Sequence, residues 1–266
     1  MIKALFFDID GTLVSFKTHQ IPVSTVSAIA EAKARGVQIF ISTGRPKIII
    51  NNLAALEERE LIDGYITMNG GYCFAGDTVI SKHPISPHSV EIITQYATER
   101  KIPNLVVGEH NMVICDKGEI FEELFYRQLK VGGQLEEKTV AEALAEGKDI
   151  IQLTTFITQE QEAELQPLVP DCEMGRWHPA FVDITTKGCT KQQGIDEMIR
   201  HFGIRLDETM AFGDGGNDIP MIQHAAIGVA MGNALDGVKA VADYVTDSVD
   251  NDGVAKALLH YGVIEN

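Results

Sequence analysis

The chain has 266 residues, 45% hydrophobic and 23% charged, enough to bury a large core as one domain or two. Its formal net charge of -16 argues against nucleic acid or an anionic membrane as a partner. A small anionic substrate stays open, because a metal or a local cation dominates a cleft once distant charges are screened.

Lys3 to Asp8 reads as a buried strand, from the apolar run Ala4-Leu5-Phe6-Phe7. Asp8 and Asp10 flank Ile9, so on an extended strand they share a face about 6–7 Å apart before Gly11 and Thr12 turn the chain. Two carboxylates there repel each other and suit no core. A divalent cation relieves the repulsion and leaves one carboxylate as nucleophile and the other as acid or base. For an Asp-x-Asp alone, a polar strand end is the better reading. Ser24 is expected to cap a helix through Val26, Ile29 and Ala30 that ends at Gly36. Val37 to Ile41 is a second strand, closing in Ser42-Thr43-Gly44-Arg45, and Pro46 is expected to open a helix through Ile48, Ile49 and Leu53. Asp63-Gly64 turns into a third strand, Tyr65 to Met68, followed by Asn69-Gly70-Gly71.

From His83 to Thr186 the apolar pattern is less regular. Ser89–Thr98 and Gln159–Leu165 read as helices, and 104–107, 112–115, 150–157 and 181–184 as strands. The last third returns to alternation. The strand Thr209–Phe212 ends in Gly213-Asp214-Gly215-Gly216-Asn217-Asp218; a helix through Met221, the strand Ile227–Ala230, a helix around Val238, a short strand at Tyr244-Val245 and a helix Gly253–His260 follow. The expectation is an α/β protein: a doubly wound parallel-sheet (Rossmann-like) core from 1–82 and 187–266, with an inserted α+β domain at 83–186.

Cys73, Cys115, Cys172 and Cys189 show no metal-finger spacing and read as reduced thiols. Asp8 interrupts the only early apolar run, and no stretch has the length of a membrane span, so a cytoplasmic protein is expected.

Four polar groups fall at or near strand ends: Asp8/Asp10, Thr43/Gly44/Arg45, Lys191, and Asp214/Asn217/Asp218. Ligands of open α/β sheets bind at that edge. Singly, each has a bland reading, as a turn, a solvated lysine or an Asx-closed loop. In this order they carry more. Asp8-x-Asp10-Gly11-Thr12, Ser42-Thr43-Gly44-Arg45, Lys187-Gly188-Cys189-Thr190-Lys191 and Gly213-Asp214-Gly215-Gly216-Asn217-Asp218 together resemble the haloacid dehalogenase (HAD) superfamily, in particular its Cof-type sugar-phosphate phosphatase branch, along the whole chain. Two lysines compete for the third motif. The family pattern points to Lys191, with Lys187 as the fallback.

The resemblance implies an Mg²⁺-dependent phosphatase of small phosphomonoesters, hexose or pentose phosphates, working through an aspartyl-phosphate. It implies Asp8 as nucleophile and Asp10 as acid and base. Thr43, Gly44, Lys191 and Asn217 would bind phosphate. Asp8, the Asp10 backbone carbonyl and Asp214 would bind the metal, and Asp218 would fix the loop or the lysine. The carboxylate at Asp10 favours hydrolysis over a long-lived phosphoenzyme. The insertion matches a mobile cap in position and size. Within it Trp177, between Arg176 and His178, either stacks on a sugar ring or packs in the cap core. Arg45 either meets substrate or bridges core and cap, and Glu109 and His110 are weaker candidates. A phosphosugar mutase is the nearest alternative and a phospho-acceptor signalling receiver the remote one.

Overall fold

The computed structural model describes residues 1–128 and 135–265, the side chains of Gln128 and Trp177 excepted. The chain forms two compact units. Residues 1–44, 52–81 and 190–266 make the first, and residues 45–51 and 82–189 the second. In chain order the strands are β1 (Ala4–Phe7), β2 (Gln38–Ser42), β3 (Gly64–Thr67), β4 (Tyr72–Ala75), β5 (Thr78–Lys82), β6 (Asn104–Val107), β7 (Met112–Cys115), β8 (Glu136–Glu137), β9 (Gln152–Thr155), β10 (Cys172–His178), β11 (Phe181–Thr186), β12 (Thr209–Gly213), β13 (Ile227–Ala230) and β14 (Tyr244–Val245).

The first unit is built on an eight-stranded sheet ordered β14-β13-β12-β1-β2-β3-β4-β5. The strands from β14 through β3 pair in parallel, and β4 runs antiparallel to β3. The core is therefore α/β, with an antiparallel hairpin added at one edge. In β1 all four residues have no exposed surface, as a parallel strand covered on both faces requires, and this explains an apolar run without alternation. Phe6 stacks on Phe40 with ring centroids 4.9 Å apart, and the next residue, Phe7, stacks on Phe212 at 4.7 Å. Ile195 and Met198 of the helix Lys191–Phe202 join Phe6, Phe40 and Ile66 in one buried cluster.

Strand order reverses at β1. It pairs with β2 on one side and with β12, some 200 residues later in the chain, on the other. Such a reversal leaves a crevice beyond the strands' carboxyl ends.

Two local expectations are corrected. The helix Val23–Ala34 is preceded by Pro22 and has no side-chain cap, while Ser24 instead donates its hydroxyl to Asp252. After Pro46 there is only a 3-10 turn, Lys47–Ile49, and a four-residue helix, Ala54–Glu57. Ile48, Ile49 and Ile50 are consecutive β-branched residues, and Asn51-Asn52 competes locally for backbone hydrogen bonds; both disfavour a continuous helix.

The second unit has a six-stranded sheet ordered β10-β11-β9-β6-β7-β8, antiparallel except for β7 with β8. Its helices carry clear start signals. Ser86 caps Pro87–Glu99, and capping boxes open Val140–Ala145 and Gln159–Leu165. Among the described residues no helix is long and apolar enough to cross a membrane.

Candidate active site

The sequence Asp8 to Val14 forms a tight turn at the end of β1. The Asp8 N–H donates to Phe212 O (3.0 Å), Gly11 N–H to Val14 O (2.9 Å), and Val14 N–H back to Ile9 O (2.8 Å). Gly11 has φ +81, and a Cβ there would lie 2.2 Å from Asp214 Oδ2. Backbone conformation and space both demand glycine. Thr12, fully buried, donates its hydroxyl to Asp214 Oδ1 at 3.1 Å.

One strand over, β12 ends in the glycine-rich turn. Asp218 closes it, with Oδ2 accepting the N–H groups of Asp214 (2.9 Å) and Gly215 (2.8 Å). Its other oxygen accepts from Lys191 Nζ at 2.5 Å, so Asp218 fixes the loop and the lysine together. Lys191 is the first residue of its helix, capped by the Thr190 hydroxyl, which accepts from Gln193 N–H (3.2 Å). Its ammonium reaches across to Asp8 Oδ1 as well, also at 2.5 Å.

These charges are buried: Lys191 is 1% exposed, Asp218 not at all, Asp8 8% and Asp214 9%. Burial alone would lower the Lys191 ammonium, but the carboxylates of Asp218 and Asp8 outweigh it and hold the lysine protonated. The acids are in the opposite position. Burial raises Asp8 well above the carboxylate range, with Asp218, Asp214 and Asp10 adding to it against Lys191. Burial and Asp218 push Asp214 up to about 7. One ammonium does not balance this many carboxylates.

That imbalance tests the fit to a cation. Carboxylate oxygens of Asp8, Asp214 and Asp218 all lie within 4.8 Å of one another. The donors are hard oxygens with no thiol or imidazole among them, a set that suits Mg²⁺. A divalent ion would oppose the burial and carboxylate repulsion that raise Asp8 and Asp214. The residues fit the group.

A neutral cluster forms where the end of β2 meets the β12 turn. Thr43, 2% exposed, follows β2, and its N–H donates to Ile66 O (2.8 Å). Its carbonyl accepts from Asn69 N–H (3.1 Å). Asn217 donates Nδ2–H to Asn69 Oδ1 (3.1 Å), and both amides abut Gly44.

Comparison with known proteins decides the family. The haloacid dehalogenase-like hydrolases match the chain over residues 5–258. YkrA of Bacillus subtilis (strain 168) is 33% identical over 265 residues, 99% of each chain. The solved structure of the HAD subclass IIB sugar phosphatase BT4131 is 56% identical with a TM-score of 0.92, covering 98% of this chain and 100% of that one. The pyridoxal phosphate phosphatase YbhA of Escherichia coli (strain K12) is 29% identical over 96% of each chain. The chain is a haloacid dehalogenase-like hydrolase. It is a phosphatase of the Cof type.

Within this hydrolase the structure brings Asp8, Lys191, Asp214 and Asp218 together, and sets Thr43, Gly44 and Asn217 around Asn69. Asp10 is in the β1 turn and adds to the charge felt by Asp8, and the tight group of carboxylate side chains is Asp8, Asp214 and Asp218. Lys187 is exposed, so of the two competing lysines it is Lys191 that meets the acids. Arg45 donates to Ile49 O (3.3 Å) within its own segment. Trp177 lies on β10, and its side chain is outside the described residues. Arg176 beside it is held by Glu162 and by the carbonyls of Pro179 and Ile157, and His178 stacks on Phe181. Glu109 meets Lys82 and His110.

Three residues escaped the sequence reading: Thr12, Asn69 and Asn233. Asn233 donates Nδ2–H to Gly11 O (2.8 Å) and accepts from Val249 N–H (2.9 Å), tying the β1 turn to a loop of the C-terminal third. Thr12 and Asn69 each adjoin a glycine in a strand-end turn, and Thr12 closes the Asp8-x-Asp10-Gly11-Thr12 motif, although neither was given a role from the sequence.

Proposed function

We propose that this phosphatase hydrolyses small phosphomonoesters, hexose or pentose phosphates, by attack of Asp8 on phosphorus. The observation that carries the reading is the Lys191 ammonium clamped between Asp8 and Asp218 at 2.5 Å each, beside Asp214, at the ends of neighbouring strands. Lys191 holds one Asp8 oxygen, which leaves the other to form the new O–P bond as the ester P–O bond breaks. Asp10 gives its proton to the departing alcohol. It then takes one from the water that cleaves the aspartyl-phosphate and restores Asp8. Thr43, Gly44, Asn217 and Lys191 hold the phosphoryl oxygens, so positioning and charge neutralisation supply most of the acceleration. Mg²⁺, held by Asp8, the Asp10 carbonyl and Asp214, would offset repulsion between the nucleophile and the phosphate dianion. The sugar class is supported by the likeness to a sugar phosphatase at 56% identity.

The test is inorganic phosphate release from hexose and pentose phosphates, pyridoxal phosphate and nucleotides, with Mg²⁺ or with chelator. Sugar phosphates should be turned over best and only with Mg²⁺. Asp8→Asn should lower kcat by ~10³-fold or more. Activity surviving that substitution would remove Asp8 as nucleophile, and preference for pyridoxal phosphate would overturn the sugar class alone.

A further inference from the structure

The segment after β3 has an unusual backbone. Met68, Asn69 and Gly70 take φ +52, +54 and +98 in succession. Left-handed residues in a row are costly, least so for glycine and asparagine, and Met68 is neither. The segment is held on all sides: Asn69 N–H donates to Thr43 O, Gly71 N–H donates to Met68 O, Met68 is 1% exposed, and a Cβ on Gly70 would lie 2.4 Å from Thr190 O. Strain maintained in this way concentrates at functional sites.

What the strain achieves is the placement of one amide. A Cβ at Gly44 would lie 3.2 Å from Asn69 Nδ2, 3.3 Å from Asn69 Oδ1 and 3.6 Å from Asn217 Nδ2. Asn69 thus stands where the Thr43-Gly44 turn meets the glycine-rich turn of β12, accepting from Asn217 Nδ2 (3.1 Å). An amide has a donor end and an acceptor end, and a phosphate dianion tolerates only the donor. The acceptor at Asn69 Oδ1 fixes which end Asn217 presents: one N–H is bonded to Asn69, and the second hydrogen on the same nitrogen remains for a phosphoryl oxygen. Without it the Asn217 amide can turn over and offer Oδ1 instead.

We propose that Asn69 is a positioning residue of the phosphate site, holding the Asn217 amide in its donor orientation. This rests on the phosphatase reading above, in which Asn217 contacts phosphate. Asn69→Gly removes the amide while allowing the left-handed backbone, so it separates the side chain from the strain. The measurements are KM and kcat for glucose 6-phosphate, the inhibition constant of inorganic phosphate, and Tm, for the wild type, Asn69→Gly, Asn217→Ala and the double variant, all with Mg²⁺. Asn69→Gly should raise KM and the phosphate inhibition constant ~5–10-fold, with a smaller change in kcat and little change in Tm. The double variant should bind phosphate no worse than Asn217→Ala, because Asn69 acts through Asn217. Asn69→Asp retains the acceptor but adds charge, and should raise the phosphate constant beyond Asn69→Gly. Independent, multiplying effects in the double variant would overturn the proposal, as would a fall in Tm with unchanged phosphate constants. A wild type that neither releases nor binds phosphate would instead overturn the phosphatase reading on which it stands.

Discussion

The two flanks of the strand-edge site are built on opposite principles. On one, Lys191 and the carboxylates of Asp8, Asp214 and Asp218 are packed together and buried. On the other, Thr43, Gly44, Asn69 and Asn217 meet through neutral amides and backbone groups. Buried charges are costly singly and tolerable only as a balanced set, so the charged flank behaves as a unit. Neutral hydrogen bonds contribute about 1 kcal/mol each and are more nearly separable. The charged flank should therefore control stability, pH response and chemistry together. The neutral flank should affect binding more than turnover, and stability little.

The most severe way to break this contrast is Lys191→Met. It keeps much of the volume and removes the ammonium bonded to both Asp8 and Asp218. Leaving buried carboxylates unpartnered costs about 3–5 kcal/mol, moderated as the acids take up protons. The expected result is a large loss of Tm at pH 8, partly recovered at pH 5, together with loss of phosphatase turnover. Thermal unfolding at the two pH values checks it. A variant as stable as wild type at pH 8 would show that the charges are not coupled.

A gentler test leaves the sequence intact. Asp214 lies near 7 and Asp8 is also raised, so without metal both bind protons more tightly folded than unfolded. A folded-state pKa above the unfolded one gives stability that is present at low pH and lost as pH rises through the folded value. The chelated protein should therefore lose Tm as pH climbs from about 4 toward and through 7. Mg²⁺ favours the ionised acids, so its stabilisation should be larger at pH 8 than at pH 6, reaching about 2.7 kcal/mol at a hundredfold excess over Kd. A response to Mg²⁺ independent of pH would separate the raised acids from the cation.

The two flanks were also unequally legible in the sequence. Asp8 and Asp10 stood out because alternation around Ile9 forces two acids onto one face of a strand that is otherwise wholly apolar. Asp214 and Asp218 stood out because glycines surround them. Such signals are local. Asn69 carries no local signal beyond a turn-forming dipeptide, and its partner Asn217 lies 148 positions away. Asn233 is similar, since its partner Gly11 lies 222 positions away. The helix expected after Pro46 failed for a local reason, three β-branched residues in a row, that apolar spacing alone does not weigh. The parallel core was readable strand by strand, whereas the hairpin β4–β5 and the strand β10 were not. Each owes its state to a neighbouring strand rather than to its own periodicity.

The smallest effect asks whether a neutral group inside the charged flank follows its neighbours' rules. Thr12 is uncharged and fully buried, yet its hydroxyl donates to Asp214 Oδ1 and pulls that acid's pKa down. Thr12→Val preserves shape and deletes the donor. A hydrogen bond to an ionised group is worth roughly 1.5–3 kcal/mol, and the 3.1 Å separation argues for the lower end. Because the lost partner matters most to the carboxylate form, the variant should be destabilised at pH 8 and nearly equal to wild type at pH 5.5, measured in chelator. The falling limb of Tm against pH should extend to higher pH, since loss of the donor raises the folded Asp214 pKa further. A Tm difference of equal size at both pH values would make Thr12 a packing residue, and the charged flank would then stop at its four ionisable groups.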